Sequence, residues 1–312
     1  MERVHFGLIL PNYGSALDAE RLVNVAVAAE ESGFDSAWVT DHLVVPAEYA
    51  ATYGTIAEAL VSLGFVAGRT RRLNLGVSAL VVPQRQPLVA LKQLTTLDFL
   101  SSGRIVTAVT AGWMEGEFAS LAAPYEGRGP LLDEWLTAAA SVFEQMPGRV
   151  RYQGPLLSFD GWMAPPLVRP GGPELWVAGG SSATLRRAAK TGTWHPVALP
   201  PDQLRAMAAE LRERRADSRV VLRIGVYITR EPEAKVDERG RHAIAGPPEW
   251  IAARLSEYLD AGCNGFIVNL DHDSPALEER VWRFANEIAP LVPGYSRDPV
   301  DATNSKVSPH ER

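Results

Sequence analysis

Residues 175–189 read Leu175-Trp176-Val177-Ala178-Gly179-Gly180-Ser181-Ser182-Ala183-Thr184-Leu185-Arg186-Arg187-Ala188-Ala189. An apolar run short enough for a buried strand passes through two glycines and two hydroxyls straight into a helical pattern. Such a turn leaves the first backbone N–H groups of the helix without partners, where the helix dipole favours negative charge. Glycine permits close backbone approach, and Ser181, Ser182 and Thr184 add hydroxyl donors. A phosphate is the natural occupant; a tight strand-to-helix turn with a serine cap reads equally well.

The same unit recurs on either side. Apolar runs rich in β-branched or aromatic residues lie at 4–10, 36–40, 73–82, 105–111, 175–178, 193–197, 220–229 and 265–269. Helical periodicity fills the gaps at 18–32, 55–68, 86–100, 130–146, 182–191, 202–217, 247–261 and 275–289. Asp18 and Asp202 are placed as N-caps, Pro247 and Pro275 near first turns, and Gly33, Gly68, Gly103, Gly192 and Gly262 where helices should stop. Eight strands buried on both faces, each followed by one helix, favour closure into a (β/α)8 TIM barrel over a doubly wound sheet.

Two regions exceed ordinary connections. Segments 112–129 and 147–173 flank the fourth helix, the latter with a short hairpin around 151–159, and the densely charged 230–246 follows the seventh strand. The fold is thus a barrel with insertions after strands 4 and 7. The last insertion sits on the face where barrels place their active sites, as a mobile lid or a solvated loop. The barrel occupies 1–292 as a single domain, and the polar tail 293–312 reads as poorly ordered.

Composition narrows the function. At 312 residues, 46% hydrophobic and a net charge of −6, the chain has an ample core and no basic stripe for nucleic acid. The first apolar run breaks at Pro11, too soon for a signal peptide or membrane span, and the lone Cys263 cannot form an internal disulfide. A cytoplasmic protein with a small-molecule substrate, and no nucleic-acid or membrane partner, fits these features. No Gly-x-Gly-x-x-Gly follows the first strand and no Gly-x-Ser-x-Gly is present, which removes the markers of Rossmann dinucleotide binding and of the hydrolase elbow.

Residues at the C-terminal ends of barrel strands converge on one pocket. Those positions include Asn12, Asp41, His42, Ser78, Ala79, Gly112, Trp113, Gly179 to Ser182, His195, Asn269, Asp271 and His272. They hold acid/base groups and hydroxyls but no compact metal-ligand set, so no metal is expected. His42 beside Asp41 suits general acid/base work; a capping aspartate with a half-buried histidine is the even alternative. His195 reads as a packed histidine.

Several fragments are more specific: Thr40-Asp41-His42; Leu97-Asp98-Phe99-Leu100-Ser101-Ser102-Gly103-Arg104; Ala111-Gly112-Trp113-Met114-Glu115-Gly116-Glu117-Phe118; Arg128-Gly129 with Asp133-Glu134; and Trp176-Val177-Ala178-Gly179-Gly180. Together they resemble the bacterial luciferase-like superfamily, whose barrels use reduced FMN or the deazaflavin coenzyme F420. The Gly-Trp…Glu-Phe segment is most similar to the F420-associated branch. The resemblance implies that Gly179, Gly180, Ser181, Ser182 and Thr184 hold the cofactor phosphate, with Arg128 reaching the same group. Arg186 and Arg187 are weaker candidates on a helix expected to turn long side chains outward. Ser78-Ala79 matches the place where the family often carries a non-proline cis peptide against the ring, and Gly112 and Trp113 also border the cofactor.

By the same resemblance, His42 protonates the substrate atom during hydride transfer, Asp41 lies beside the ring edge, and Glu115 lines the far wall with Trp113. The implied activity is hydride transfer between F420 and a small organic substrate, in a homodimer formed through early helices. The alternatives are an FMNH2-dependent monooxygenase using O2 and a noncatalytic flavin-binding protein. Leu43-Val44-Val45-Pro46 follows Asp-His where sugar-phosphate dehydrogenases of the family carry a tryptophan, which points to an apolar or mixed substrate.

Overall fold

In the computed structural model, which describes residues 3–237 and 240–296, successive apolar runs pair in parallel around a closed ring. The strands are His5–Ile9 (β1), Ser36–Val39 (β2), Asn74–Val81 (β3), Ile105–Thr110 (β4), a hairpin of Gly148–Gln153 (β5) and Ser158–Met163 (β6), Glu174–Ala178 (β7), Thr193–His195 (β8), Arg219–Ile228 (β9), Lys235–Val236 (β10), His242–Gly246 (β11) and Gly265–Asn269 (β12). The barrel order is β1-β2-β3-β4-β7-β8-β9-β12, and β12 returns to β1 in the register His5↔Gly265 to Leu8↔Val268. This is the (β/α)8 barrel that the alternation of elements implies.

The helices are Ala19–Ser32 (α1), Ala50–Tyr53 (α2), Ala59–Ala67 (α3), Pro87–Leu100 (α4), Glu115–Ser120 (α5), Arg128–Gln145 (α6), Ser182–Thr191 (α7), Pro201–Arg214 (α8), Pro248–Asp260 (α9) and Leu277–Arg283 (α10). Local chemistry sets their ends. Asp18 caps α1 by accepting the Arg21 N–H at 2.8 Å, and Gly33 ends it at φ 86°, a left-handed conformation that glycine adopts without steric cost. Pro201 rather than Asp202 opens α8, so Asp202 falls in the first turn and supports the dipole instead of capping it.

Strand alternation divides the core into two layers. Phe6 and Leu8 face the helices, whereas Ile9, Trp38, Val106, Ala108, Trp176, Val221 and Ile267 fill the barrel. A Cβ on Gly7 would stand 2.7 Å from Trp38 Nε1, so this strand glycine makes room for the indole.

Three departures from the sequence reading stand beside one expectation met. The helix expected at 55–68 begins only at Ala59, because 43–58 forms an excursion after β2 that carries α2. Segment 230–246 is not an open loop: β11 adds in parallel to the upper half of β9, from Ala243↔Gly225 to Gly246↔Ile228. The expected hairpin is present as β5–β6; it follows α6 and so lies at the barrel end opposite the strand C-termini. Residues 293–296 are pinned, with the Val4 N–H donating to the Gly294 carbonyl at 3.0 Å and Arg3 to the Ser296 carbonyl; the remainder of the tail expected to be poorly ordered, 297–312, lies outside the described residues.

Candidate active site

The C-terminal end of β2 and the turn after β4 meet through one buried pair. His42 Nδ1 lies 2.9 Å from Glu117 Oε2, and the other carboxylate oxygen accepts the Leu43 N–H at 2.5 Å and the Val44 N–H at 3.3 Å. Both side chains are buried. Burial opposes ionisation of Glu117, but hydrogen bonds from His42, the Leu43 amide and Gln84 outweigh it and hold the carboxyl below its usual range. Beside an ionised Glu117 the Nδ1 of His42 is the donor, which leaves Nε2 as the ring atom able to accept a proton or a hydrogen bond. The imidazole lies between Tyr53, at 4.5 Å between ring centroids, and the edge of Trp113 at 6.1 Å.

Asp41 and Glu115 do not join this pair. Asp41 turns the other way, with Arg85 contacting Oδ1 at 2.7 Å and Oδ2 at 2.8 Å and the Val81 N–H donating to Oδ2 at 2.9 Å. It ties β2 to β3 and α4, and Arg85 is shared with Glu58 at 3.0 Å. Glu115 is exposed at the start of α5. The residue that reaches His42 is Glu117. Helical spacing identifies it, since Met114, Glu117 and Phe118 stand at i, i+3 and i+4 on the buried side of α5.

Beneath the mouth, the Ser78–Ala79 peptide is cis and β3 bulges there against β4. The Ser78 hydroxyl faces down into the barrel, 2.8 Å from His195 Nε2, while His195 Nδ1 lies 2.7 Å from the Val221 carbonyl. The carbonyl requires a donor on Nδ1, so Nε2 accepts from Ser78. Burial pushes the His195 pKa down to about 3, keeping the ring neutral between Trp38 and Trp176. Ala79 remains half-buried beside the mouth.

The phosphate candidates gather at two helix N-termini. Ser181 caps α7, its Oγ accepting the Thr184 N–H at 3.2 Å and lying 3.0 Å from Thr184 Oγ1. The cap satisfies Thr184 alone among the first-turn donors, leaving the amides of Ser182 and Ala183 outside the helix ladder. Gly179 has φ 132°, and a Cβ there would stand 2.8 Å from Thr184 Oγ1; around Gly180 nothing lies within 4 Å of such a Cβ. Arg187, expected to point outward, is instead buried and clamps α7 to α6 by a two-bond pair with Asp133 at 2.8 and 2.9 Å and a bond to the Gly129 carbonyl. That clamp brings up Arg128, the first residue of α6, whose guanidinium covers the Tyr125 ring at 3.6 Å and donates to the carbonyls of Gly112 and Tyr125. Open backbone, first-turn amides outside the helix ladder and an arginine with no ion pair among the described residues fit a phosphate-bearing cofactor.

Across the mouth, a cavity of about 630 Å³ is lined by Tyr13, Tyr227, Lys235, Asn269 and His272. Among the described residues no group of three or more His, Cys, Asp or Glu side chains is placed to hold a metal ion, and no helix is long and apolar enough to cross a membrane.

Comparison with known proteins agrees with this architecture. An uncharacterised Mycobacterium tuberculosis protein is 27% identical over 205 residues, covering 60% of this chain and 70% of that one. An FMNH2-dependent dimethylsulfone monooxygenase of Pseudomonas putida is 27% identical over 256 residues, 76% of this chain and 66% of the relative. The solved structure of an F420-dependent secondary alcohol dehydrogenase superposes with a TM-score of 0.74 at 18% identity, over 94% of this chain and 99% of that one, a likeness of fold. The profile of the luciferase-like monooxygenases matches residues 4–264, and the chain belongs to that family of oxidoreductases.

Proposed function

We propose that this protein transfers hydride between coenzyme F420 and a small organic substrate, acting as a homodimer. The observation that carries the reading is the buried His42–Glu117 pair at the barrel mouth, on the same face as the α7 N-terminus. Bound F420 would supply the site that takes or gives the hydride. Gly179, Gly180, Ser181, Ser182 and Thr184 hold its phosphate, with Arg128 adding charge and the Gly112–Trp113 turn closing the near side. His42 Nε2 takes the proton of the substrate hydroxyl as the hydride leaves, or returns it in the reverse direction. Glu117 orients the ring and stabilises its protonated form, and Tyr53 and Trp113 keep water from the exchanging nitrogen.

A second reading, an FMNH2-dependent monooxygenase using O2, is favoured by the likeness to the dimethylsulfone enzyme. Titrating the apoprotein with F420 and with FMN, followed by cofactor fluorescence, separates the two. Saturable F420 binding with weak FMN binding is expected; tight FMN binding without F420 binding overturns the proposal. A noncatalytic flavin-binding role predicts that His42→Ala behaves as the parent, whereas the acid/base role predicts a kcat reduced by about 10²–10⁴ with cofactor binding retained.

A further inference from the structure

The cavity across the mouth is unbalanced in charge. Two of its three carboxylates are ion-paired, Asp237 with Arg241 at 2.6 Å and Asp271 with Arg280 at 3.1 Å, whereas Asp273, at the outer rim, accepts from the neutral Ser15 Oγ at 2.7 Å and Ala16 N–H at 2.6 Å. Two cations have no carboxylate within ion-pair distance among the described residues. Lys235 lies with its ammonium 5.1 Å from the centre of the Tyr227 ring. Arg223 is only 7% exposed, and its guanidinium meets neutral acceptors alone: the Ser78 carbonyl at 2.6 Å, Ser78 Oγ at 3.4 Å, Thr40 Oγ1 at 3.2 Å and the Tyr13 hydroxyl at 3.4 Å.

A buried charge with no counter-charge is costly, and the cost falls when an opposite charge arrives. Arg223 stands one side chain behind the cavity wall, because Tyr13, which accepts its hydrogen bond, lines the cavity. On the inward side of β9, Arg223, Gly225 and Tyr227 alternate toward the mouth, and the space over Gly225 is bordered by the Tyr227 ring, Ala243 and the Arg241-paired Asp237. Tyr13 is 5.4 Å from Tyr53, which is 4.5 Å from His42, and these rings join the cavity to the acid/base pair.

We propose that this cavity selects a small organic acid, its carboxylate drawn by the uncompensated charges of Arg223 and Lys235 while its carbon skeleton lies along Tyr13 toward His42. The inference names the substrate class of the proposed oxidoreductase site and rests on that reading. Such an acid, with one charged end and a carbon skeleton, falls on the mixed side of the apolar or mixed substrate that Leu43-Val44-Val45-Pro46 implies.

Thermal-shift and tyrosine/tryptophan fluorescence titrations of the full-length apoprotein with hexanoate, 1-hexanol and hexylamine test it. Hexanoate should bind saturably, at least tenfold tighter than hexanol, weaken with added NaCl and outcompete hexylamine entirely. Arg223→Met should raise the melting temperature without ligand, since it removes an unpaired buried charge, and weaken hexanoate at least tenfold; Lys235→Met should weaken it about threefold. Equal affinity for acid and alcohol, or undiminished hexanoate binding by a folded Arg223→Met protein, overturns the proposal. Should Arg223→Met not fold, the acid-to-alcohol ratio in the parent and its change in Lys235→Met decide. A parallel cofactor titration separates the two readings: hexanoate selectivity without F420 or FMN binding removes the oxidoreductase and keeps the acid site, and the converse removes the acid site alone.

Discussion

Glu117 shows how a single carboxylate couples stability to the chemistry of His42. Its folded-state pKa lies below the usual value of 4.5 because the hydrogen bonds from His42, Leu43 and Gln84 outweigh the effect of burial. The unfolded chain therefore binds this proton more readily, and the pair contributes stability that is complete above pH 4.5 and is lost as pH falls through the lower folded value. Glu117→Gln should cost about 1–3 kcal/mol at pH 7 and flatten the acid limb; urea midpoints that fall in parallel for both proteins below pH 4.5 would contradict this. His195 behaves with the same sign over a different window. Its pKa is lowered by burial from 6.5 to about 3, so stability is full above 6.5 and declines toward 3, and His5, lowered chiefly by burial, adds to the decline. Nitrogen shifts of the His195 ring should keep the Nδ1–H tautomer down to pH 4, and a titration near 6 would sink that assignment. At this scale the sequence is only half legible. Successive residues at a strand end point to opposite sides, which sends Asp41 to Arg85 and His42 to the mouth, so adjacency in sequence is a poor guide to partnership.

At the scale of elements, the proposed phosphate cradle depends on a joint that neither helix provides alone. Arg187, in the second turn of α7, bridges that helix to Asp133 and to the Gly129 carbonyl in the first turn of α6, next to Arg128. Arg187→Met should leave the helices intact and loosen their relation, weakening the phosphate-bearing cofactor about tenfold, or about 1.4 kcal/mol, with kcat at saturation nearly unchanged. Fluorescence titration measures it, and an unaltered Kd would assign Arg187 to packing alone. The units themselves are legible because a barrel strand buried on both faces carries a dense apolar signal and its helix carries a periodic one. The addition of β11 to β9 is not: its charged lead-in hides a strand of five residues, and pairing at the mouth is a tertiary event that local pattern does not encode. The excursion at 43–58 is missed for a related reason, since α2 spans only four residues, too few for a period to register.

For the whole molecule, the remaining question is what covers the outer face of α3 and α4. Closure of the barrel buries Leu91, Leu94 and Leu97 of α4 but leaves Val89 and Leu100 at 52% and 68% exposure. Those two residues are eleven positions apart, just over three helical turns, and therefore share a side of the helix. On the neighbouring α3, Val61 and Phe65 stand one turn apart and are 72% and 49% exposed. Apolar residues at helical spacing on two adjacent helices form a surface of the kind that subunits bury, and a stable interface needs roughly 800 Å² per partner. The homodimer proposed above should use this face. Sedimentation at micromolar concentration is expected to give twice the 33.9 kDa chain mass, and Val61→Lys with Leu100→Lys should give single chains that retain the barrel's circular dichroism and its cofactor affinity, because neither residue reaches the mouth. A parent that sediments as a single chain, or a double variant that stays paired, would move the interface elsewhere or abolish it.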